Sequence, residues 1–395
     1  MDLKELDLAY VLHTYAREYV NFKYGKNARL YDEEGKEYID FTSGIGVVSV
    51  GHGNERLSHA ICDQARKIIH ISNLYLIEPQ ALLAKRLVEL SGYDMRLFFA
   101  NSGAEANEGA IKIARKYGEV DGEVKRYKII TLKHSFHGRT ITALKATGQE
   151  AMHTYFGPFP DGFVYAESID EIEKLIDEHT VAVMIELIQG EGGVEPQDKE
   201  AVQNLAKMLK ERDVLLIVDE VQTGIYRTGE LLASNLYEIE PDIITLAKGL
   251  GGGVPIGAIM TRLKDIFAPG DHGSTFGGNY LSTRAALEVL AILDEDFQSG
   301  ALQDRIDTFS KALQAVAKDF PELFSKEVGI GLMRGLRAKS ADLQSQIIAK
   351  AFEHGVLVLK AGRNTVRFLP PLTITQEEID EGFKRLRVAL KEIEA

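Results

Sequence analysis

Val214-Leu215-Leu216-Ile217-Val218-Asp219-Glu220-Val221-Gln222-Thr223-Gly224 opens with five aliphatic residues and ends in two acids, an amide and a glycine. Five apolar side chains in succession suit a strand covered on both faces, as in a parallel sheet with helices above and below it. A second stretch repeats the pattern: Ile243-Ile244-Thr245-Leu246-Ala247-Lys248 leads into Gly249-Leu250-Gly251-Gly252-Gly253. Similar runs occupy residues 96–100, 127–132, 181–185 and 256–261, and amphipathic helical patterns occupy 104–117, 169–177 and 199–212. This alternation predicts an α/β fold with a mostly parallel sheet.

The ends of the chain read differently. Residues 29–41 resemble a hairpin turning at Asp32-Glu33-Glu34-Gly35, and residues 281–320 are largely helical. Two late apolar runs, 355–360 and 365–369, suit strands, and a last helix follows Thr375. The expected organisation is a large domain over 46–280 and a small α+β domain built from 1–45 and 281–395.

Composition narrows the class. The 395 residues are 45% hydrophobic and 27% charged, enough to bury a sizeable core. The net charge of −13 argues against a nucleic-acid partner. One cysteine, Cys62, excludes an intrachain disulfide and disfavours structural zinc; it reads as a small buried residue of a helix. No apolar run approaches the roughly 20 residues of a membrane span, and residues 1–10 lack the pattern of a secretory signal. Cytoplasm is therefore the expected location.

In open α/β sheets, ligands bind beyond the carboxyl ends of the strands. The residues there are Asn101-Ser102-Gly103-Ala104, Lys133-His134-Ser135-Phe136-His137-Gly138-Arg139, the loop 186–193, Asp219-Glu220-Val221-Gln222 and Ala247-Lys248-Gly249. Ser102 begins a helix, whose free N–H groups and partial positive charge favour a phosphate, yet Ser102 with Glu105 is equally a capping box. Asp219 at the end of a buried strand needs a partner; a pyridinium nitrogen, a metal or a helix terminus would each serve. Lys248 alone reads as a solvated lysine. Together with Asp219 it suits a cofactor that needs an amine nucleophile and a ring-nitrogen partner. Phe136 can stack on a ring or belong to the core, and Arg139 can hold a carboxylate or sit on the surface. His134 and His137 lack a third ligand, so no metal site is expected. Arg367, charged within an apolar strand, calls for a carboxylate partner.

These motifs, with Gln189-Gly190-Glu191-Gly192-Gly193 and residues 273–279, stand in the order and spacing of the class III aminotransferases of pyridoxal 5′-phosphate (PLP) fold type I. The resemblance runs from about Tyr15 to Pro371 and is strongest to the acetylornithine branch. It implies that Lys248 holds PLP as a Schiff base and later carries the proton, while Asp219 pairs with the ring nitrogen. Gln222 would lie near the phenolic oxygen, with Val221 on one ring face and Phe136 on the other. Ser102, Gly103 and Ala104 would hold the phosphate; Glu220 is counted with the cofactor residues, although beside Asp219 it reads simply as the partner of a nearby base. Thr275 would reach the phosphate of a neighbouring subunit, implying a homodimer with shared sites. Arg139 would bind a substrate carboxylate, with Ser274 nearby. Glu191 and Arg367 would form a switchable pair that opens for the α-carboxylate of glutamate or 2-oxoglutarate.

The implied reaction moves the δ-amino group of N-acetylornithine to 2-oxoglutarate, a step of arginine biosynthesis. Ornithine, succinylornithine, succinyl-diaminopimelate or 4-aminobutyrate are alternative donors, and an aminomutase or a non-catalytic PLP-fold protein are alternatives of another class. Three positions depart from the family pattern: Leu187 stands for a usual Pro, Tyr226 for a usual Gly and Asn54 for a usual His.

Overall fold

The computed structural model describes residues 1–120 and 122–394. Seven strands form the main sheet: β1 (Arg96–Ala100), β2 (Lys128–Leu132), β3 (Phe163–Ala166), β4 (Thr180–Ile185), β5 (Leu215–Asp219), β6 (Ile243–Leu246) and β7 (Gly257–Thr261). Their order is β1-β7-β6-β5-β4-β2-β3. All are parallel except β7, which runs antiparallel to both of its neighbours. The edge strand β3, Phe-Val-Tyr-Ala, is too short and too mixed to stand out in the sequence.

The central strands β4 and β5 are buried along their whole length, and their side chains alternate between two cores. Ala182, Met184, Leu215 and Ile217 pack on one face with Ala106, Ala110 and Ile113 of helix α1 (Gly103–Tyr117). Val183, Ile185, Leu216 and Val218 pack on the other face with Val202, Leu205 and Leu209 of helix α2 (Lys199–Glu211). The period of two along each strand delivers every second residue to each layer. Each Leu or Ile so buried contributes roughly 1.5–3 kcal/mol, and the unbroken aliphatic run is what both layers require.

The expected helix over 169–177 is a single 3₁₀ turn, Ile169–Glu171, followed by the short helix Ile172–Leu175. Helices α3 (Tyr280–Gln298) and α4 (Ala301–Asp319) fill the stretch read as helical. Toward the termini, Phe22–Lys26, Arg29–Asp32 and Glu37–Asp40 form a sheet joined by Val356–Leu357, with Ile39 paired to Val356. A second small sheet has the order Phe324–Ile330, Met333–Ala338, Thr365–Phe368, Leu359–Ala361. Its first hairpin escapes sequence reading, because glycine and charge interrupt the alternation in Phe-Ser-Lys-Glu-Val-Gly-Ile and Met-Arg-Gly-Leu-Arg-Ala.

Cys62 corrects its expectation. Helix Glu55–Lys67 buries Leu57, Ala60 and Gln64, and Cys62 lies two residues from Ala60 on the opposite side, exposed. Asn54 caps this same helix by accepting from the Leu57 N–H at 3.1 Å. Tyr226 has φ 64°, a backbone that explains why glycine is usual there. Its buried ring packs on Phe297, and its hydroxyl donates to Asp294 Oδ1 at 2.8 Å, offsetting that strain.

Candidate active site

The carboxyl ends of β1, β5 and β6 and the loop after β2 meet at a cavity of about 410 Å³. The chain turns there from β1 into α1. Ser102 caps the helix by accepting from the Glu105 N–H at 3.2 Å. The Glu105 carboxylate reaches the Asn101 N–H at 2.7 Å, so the reciprocal half of the capping box is shifted by one residue. Ser102, Gly103 and Ala104 line the cavity with the first turn of α1, whose N–H groups have no intrahelical acceptor. A Cβ on Gly103 would stand 2.7 Å from Val221 Cγ1, so only glycine lets Val221 approach the cradle this closely.

Asp219, the last residue of β5, is 4% exposed. Its Oδ2 accepts from Asn107 Nδ2 and faces His137 Nδ1, both at 2.8 Å, and its Oδ1 accepts from the Val221 N–H at 3.0 Å. Three contacts from three elements fix the carboxylate so that it faces the cavity. Asn107 also donates to the His137 carbonyl at 2.6 Å, tying α1 to the loop after β2.

Lys248 follows β6 with φ 40°, a left-handed conformation unusual for a lysine and of the kind found at functional sites. Its amine lies at the cavity wall, and no hydrogen bond from a described residue holds it. Burial lowers its pKa below the usual lysine value; Glu191 opposes this, Arg367 adds to it, and Asp219 and Glu186 oppose it. The neutral, nucleophilic amine is thereby favoured.

Phe136, Arg139, Val221, Gln222 and Glu191 line the same cavity. The Arg139 guanidinium lies 5.4 Å from the Phe136 ring centroid. Arg367 is 2% exposed in the centre of its strand. Its Nη1 donates to Glu191 Oε1 at 2.6 Å and to Gln222 Oε1 at 3.3 Å, so the charged residue in the apolar run has its carboxylate.

Four expected residues stand outside the cavity lining: Arg367, behind Glu191 and Gln222, and Glu220, Ser274 and Thr275. Glu220 points the other way: its buried carboxyl accepts from the Ala233 and Ser234 N–H groups and from the Thr223 and Ser234 hydroxyls. It meets no base, because the start of a short helix supplies its donors, and burial raises its pKa. Ser274 accepts from Asn101 Nδ2 at 3.1 Å, one residue from the cradle, and Thr275 is exposed. Conversely, Asn107, His137 and Glu186 line the cavity without having been singled out for it. Asn107 is a polar residue on the otherwise small, apolar face of α1, which was a readable signal.

The residues present fit PLP. A helix start offers free amides to a phosphate, a fixed carboxylate faces the interior, and a half-buried lysine amine has no hydrogen-bond partner among the described residues. The sequence profile described as aminotransferase class-III matches residues 11–390. The chain belongs to the class III aminotransferases. Members of this family depend on PLP, and so does this enzyme. Among curated class III relatives, the acetylornithine aminotransferase of Wolinella succinogenes is 71% identical over 98% of this chain and 99% of its own. That of Aquifex aeolicus is 45% identical over 97% and 100%. The solved ornithine aminotransferase of Toxoplasma gondii, described with PLP at partial occupancy in its active site, superposes with TM-score 0.92. It is 34% identical, with 99% of this chain and 94% of that one covered. The N-acetylornithine aminotransferase of Stenotrophomonas maltophilia gives TM-score 0.84 at 34% identity, with 99% of each chain covered.

Proposed function

We propose that this aminotransferase moves the δ-amino group of N-acetylornithine to 2-oxoglutarate, giving N-acetylglutamate semialdehyde and glutamate, as a cytoplasmic homodimer. The observation that carries this reading is the unequal standing of two guanidiniums, Arg139 at the cavity wall and Arg367 buried behind Glu191 and Gln222, which line it. Arg139 is exposed at the wall with no ion pair among the described residues, whereas Arg367 is buried against Glu191. Arg139 is free to take the carboxylate of either substrate. Arg367 becomes available only when Glu191 leaves it, which suits a second carboxylate carried by one substrate and not by the other. The relatives named for acetylornithine support the choice of donor.

PLP, when bound, withdraws electrons from the carbon that bears the substrate amine. Lys248 would hold it covalently, Asp219 would face its ring nitrogen, the first turn of α1 would hold its phosphate, and Phe136 and Val221 would flank its ring. Once displaced by the donor, the Lys248 Nζ would take the proton from the amine-bearing carbon as general base and then, as general acid, pass it on to the acceptor side rather than return it to the carbon it came from. Burial holds this amine below its usual pKa, which favours the neutral form that a proton acceptor needs. Asn107 and His137 keep the Asp219 carboxylate aimed throughout.

The dimer reading rests on an exposed apolar patch. Leu74, Tyr75, Leu76 and Phe276 are 87%, 64%, 97% and 61% exposed. Their loops are joined: Asn73 Nδ2 donates to the Ser274 and Gly277 carbonyls, and the Phe276 ring lies 5.3 Å from His70. Thr275 lies in the same exposed loop as Phe276, which supports the reading that it serves a second subunit.

An amine-donor panel with 2-oxoglutarate tests the proposal. N-acetylornithine is expected to give the highest kcat/KM among N-acetylornithine, ornithine, succinylornithine, succinyl-diaminopimelate and 4-aminobutyrate. A clear preference for another donor, or turnover with no 2-oxo acid present, would overturn it.

A further inference from the structure

Glu186 follows the end of β4, is 5% exposed and lines the cavity, yet it has no ion-pair partner among the described residues. Its carboxyl is spent on two backbone groups from separate loops. Oε2 accepts from the Phe136 N–H at 2.9 Å, and Oε1 accepts from the Gly190 N–H at a longer 3.4 Å. Phe136 is the aromatic wall of the cavity, and Gly190 immediately precedes Glu191. Gly190 is also wedged: a Cβ there would stand 2.0 Å from Gln222 Oε1, the oxygen that accepts from Arg367. Beyond it, the Glu191 carbonyl accepts from the Gly362 N–H at 2.8 Å. One carboxyl therefore stands between the aromatic wall and the loop that carries the latch on Arg367.

The geometry points to Glu186 as a positioning residue that braces Phe136 against Gly190 and so sets where Glu191 stands against Arg367. The substrate side of this inference rests on the proposed use of Arg367 for 2-oxoglutarate; the cofactor side does not. A shift of Gly190 presses on Gln222 and displaces both acceptors that hold Arg367. A shift of Phe136 loosens the wall that would flank the ring. Burial supports the assignment, because a carboxyl without an ion pair is kept in a dry site only where its hydrogen bonds are needed.

The test uses the full-length protein with Glu186→Gln and Glu186→Asp, read in two ways. The first is the dissociation constant of PLP from apo-protein, followed by fluorescence quenching; the second is KM and kcat for 2-oxoglutarate. The Gln amide presents an NH₂ group to one of the two backbone N–H groups, and Asp is too short to span both. Leaving a buried donor unpaired raises the PLP dissociation constant by about fivefold and KM for 2-oxoglutarate by about tenfold, with kcat within about threefold. Asp shifts both readings in the same direction by less. Unchanged dissociation constant and KM in both variants overturn the brace, as does a collapse of kcat with both constants intact. If the Gln variant does not fold, unchanged constants in the Asp variant overturn it alone. Wild-type enzyme that does not use 2-oxoglutarate contradicts the proposed function, while the PLP dissociation constant still decides the brace.

Discussion

Lys248 looks unremarkable as one lysine in a count of 46 Lys and Arg, and its surroundings give it its chemistry. It follows a fully buried strand, adopts a left-handed backbone, and keeps its amine in a wall where burial lowers its pKa. Lys248→Ala is expected to lower kcat by at least about 10³-fold, since it removes both the covalent anchor and the proton carrier. Single-turnover kinetics with N-acetylornithine check this, and retained wild-type turnover would refute the role. Glu186 carries the pH prediction. Burial raises its carboxyl from 4.5 to about 7; the nearby Asp219 adds to this, and His137 and Lys248 oppose it. A carboxyl raised in the folded state contributes stability that is complete below its unfolded pKa and is lost as pH rises through the folded one. Apo-protein should therefore lose stability as pH rises from 4.5 toward about 7. Thermal melts of Glu186→Gln across that window should show a flatter slope than wild type. Asp219 and Lys248 stood out as polar residues closing apolar runs and Arg367 as a charge within one, whereas the pairing of Arg367 with Glu191 came from the family resemblance. Glu220 was misread because adjacent residues at a strand end point to opposite sides, and only coordinates show which side is the cavity.

The helix α1 and the strands beside it carry the element-scale account. Its first turn is the proposed phosphate cradle, with Ser102 capping it and Gly103 leaving room for Val221. Gly103→Ala forces a Cβ against a β-branched, stiff side chain. Val221 must then move into the cavity, and PLP affinity should fall about tenfold, a loss of ~1.4 kcal/mol. Titration of apo-protein with PLP checks this, and wild-type affinity in the variant would show that Val221 yields freely. The strands of the main sheet were readable wherever aliphatic runs reached four or more residues, since burial on both faces demands such runs. The hairpin of Phe324–Ile330 and Met333–Ala338 was not, because it is only partly buried and tolerates Lys326, Glu327, Arg334 and Arg337.

The whole molecule has a layered core and an exposed apolar patch formed by Leu74, Tyr75, Leu76 and Phe276. Leu76, at 97% exposure, makes the sharpest probe of that patch. Leu76→Asp would bury a charge in the proposed dimer contact while costing an isolated chain under about 0.5 kcal/mol. Sedimentation should show a dimer for wild type and a shift toward monomer for the variant, with weaker PLP retention because Thr275 is withdrawn from the second site. An unchanged dimer would place the contact elsewhere. No single residue reveals this organisation in sequence, since exposure of Leu74, Leu76 and Phe276 follows from where their loops land on the finished surface.

The most direct measurement of the central claim is the absorbance of PLP-loaded enzyme through one half-reaction. N-acetylornithine added without any 2-oxo acid should convert the bound cofactor stoichiometrically from its aldehyde-derived to its amine form, and 2-oxoglutarate should then restore the first spectrum. No spectral change with N-acetylornithine, or steady product formation with no 2-oxo acid present, would contradict it.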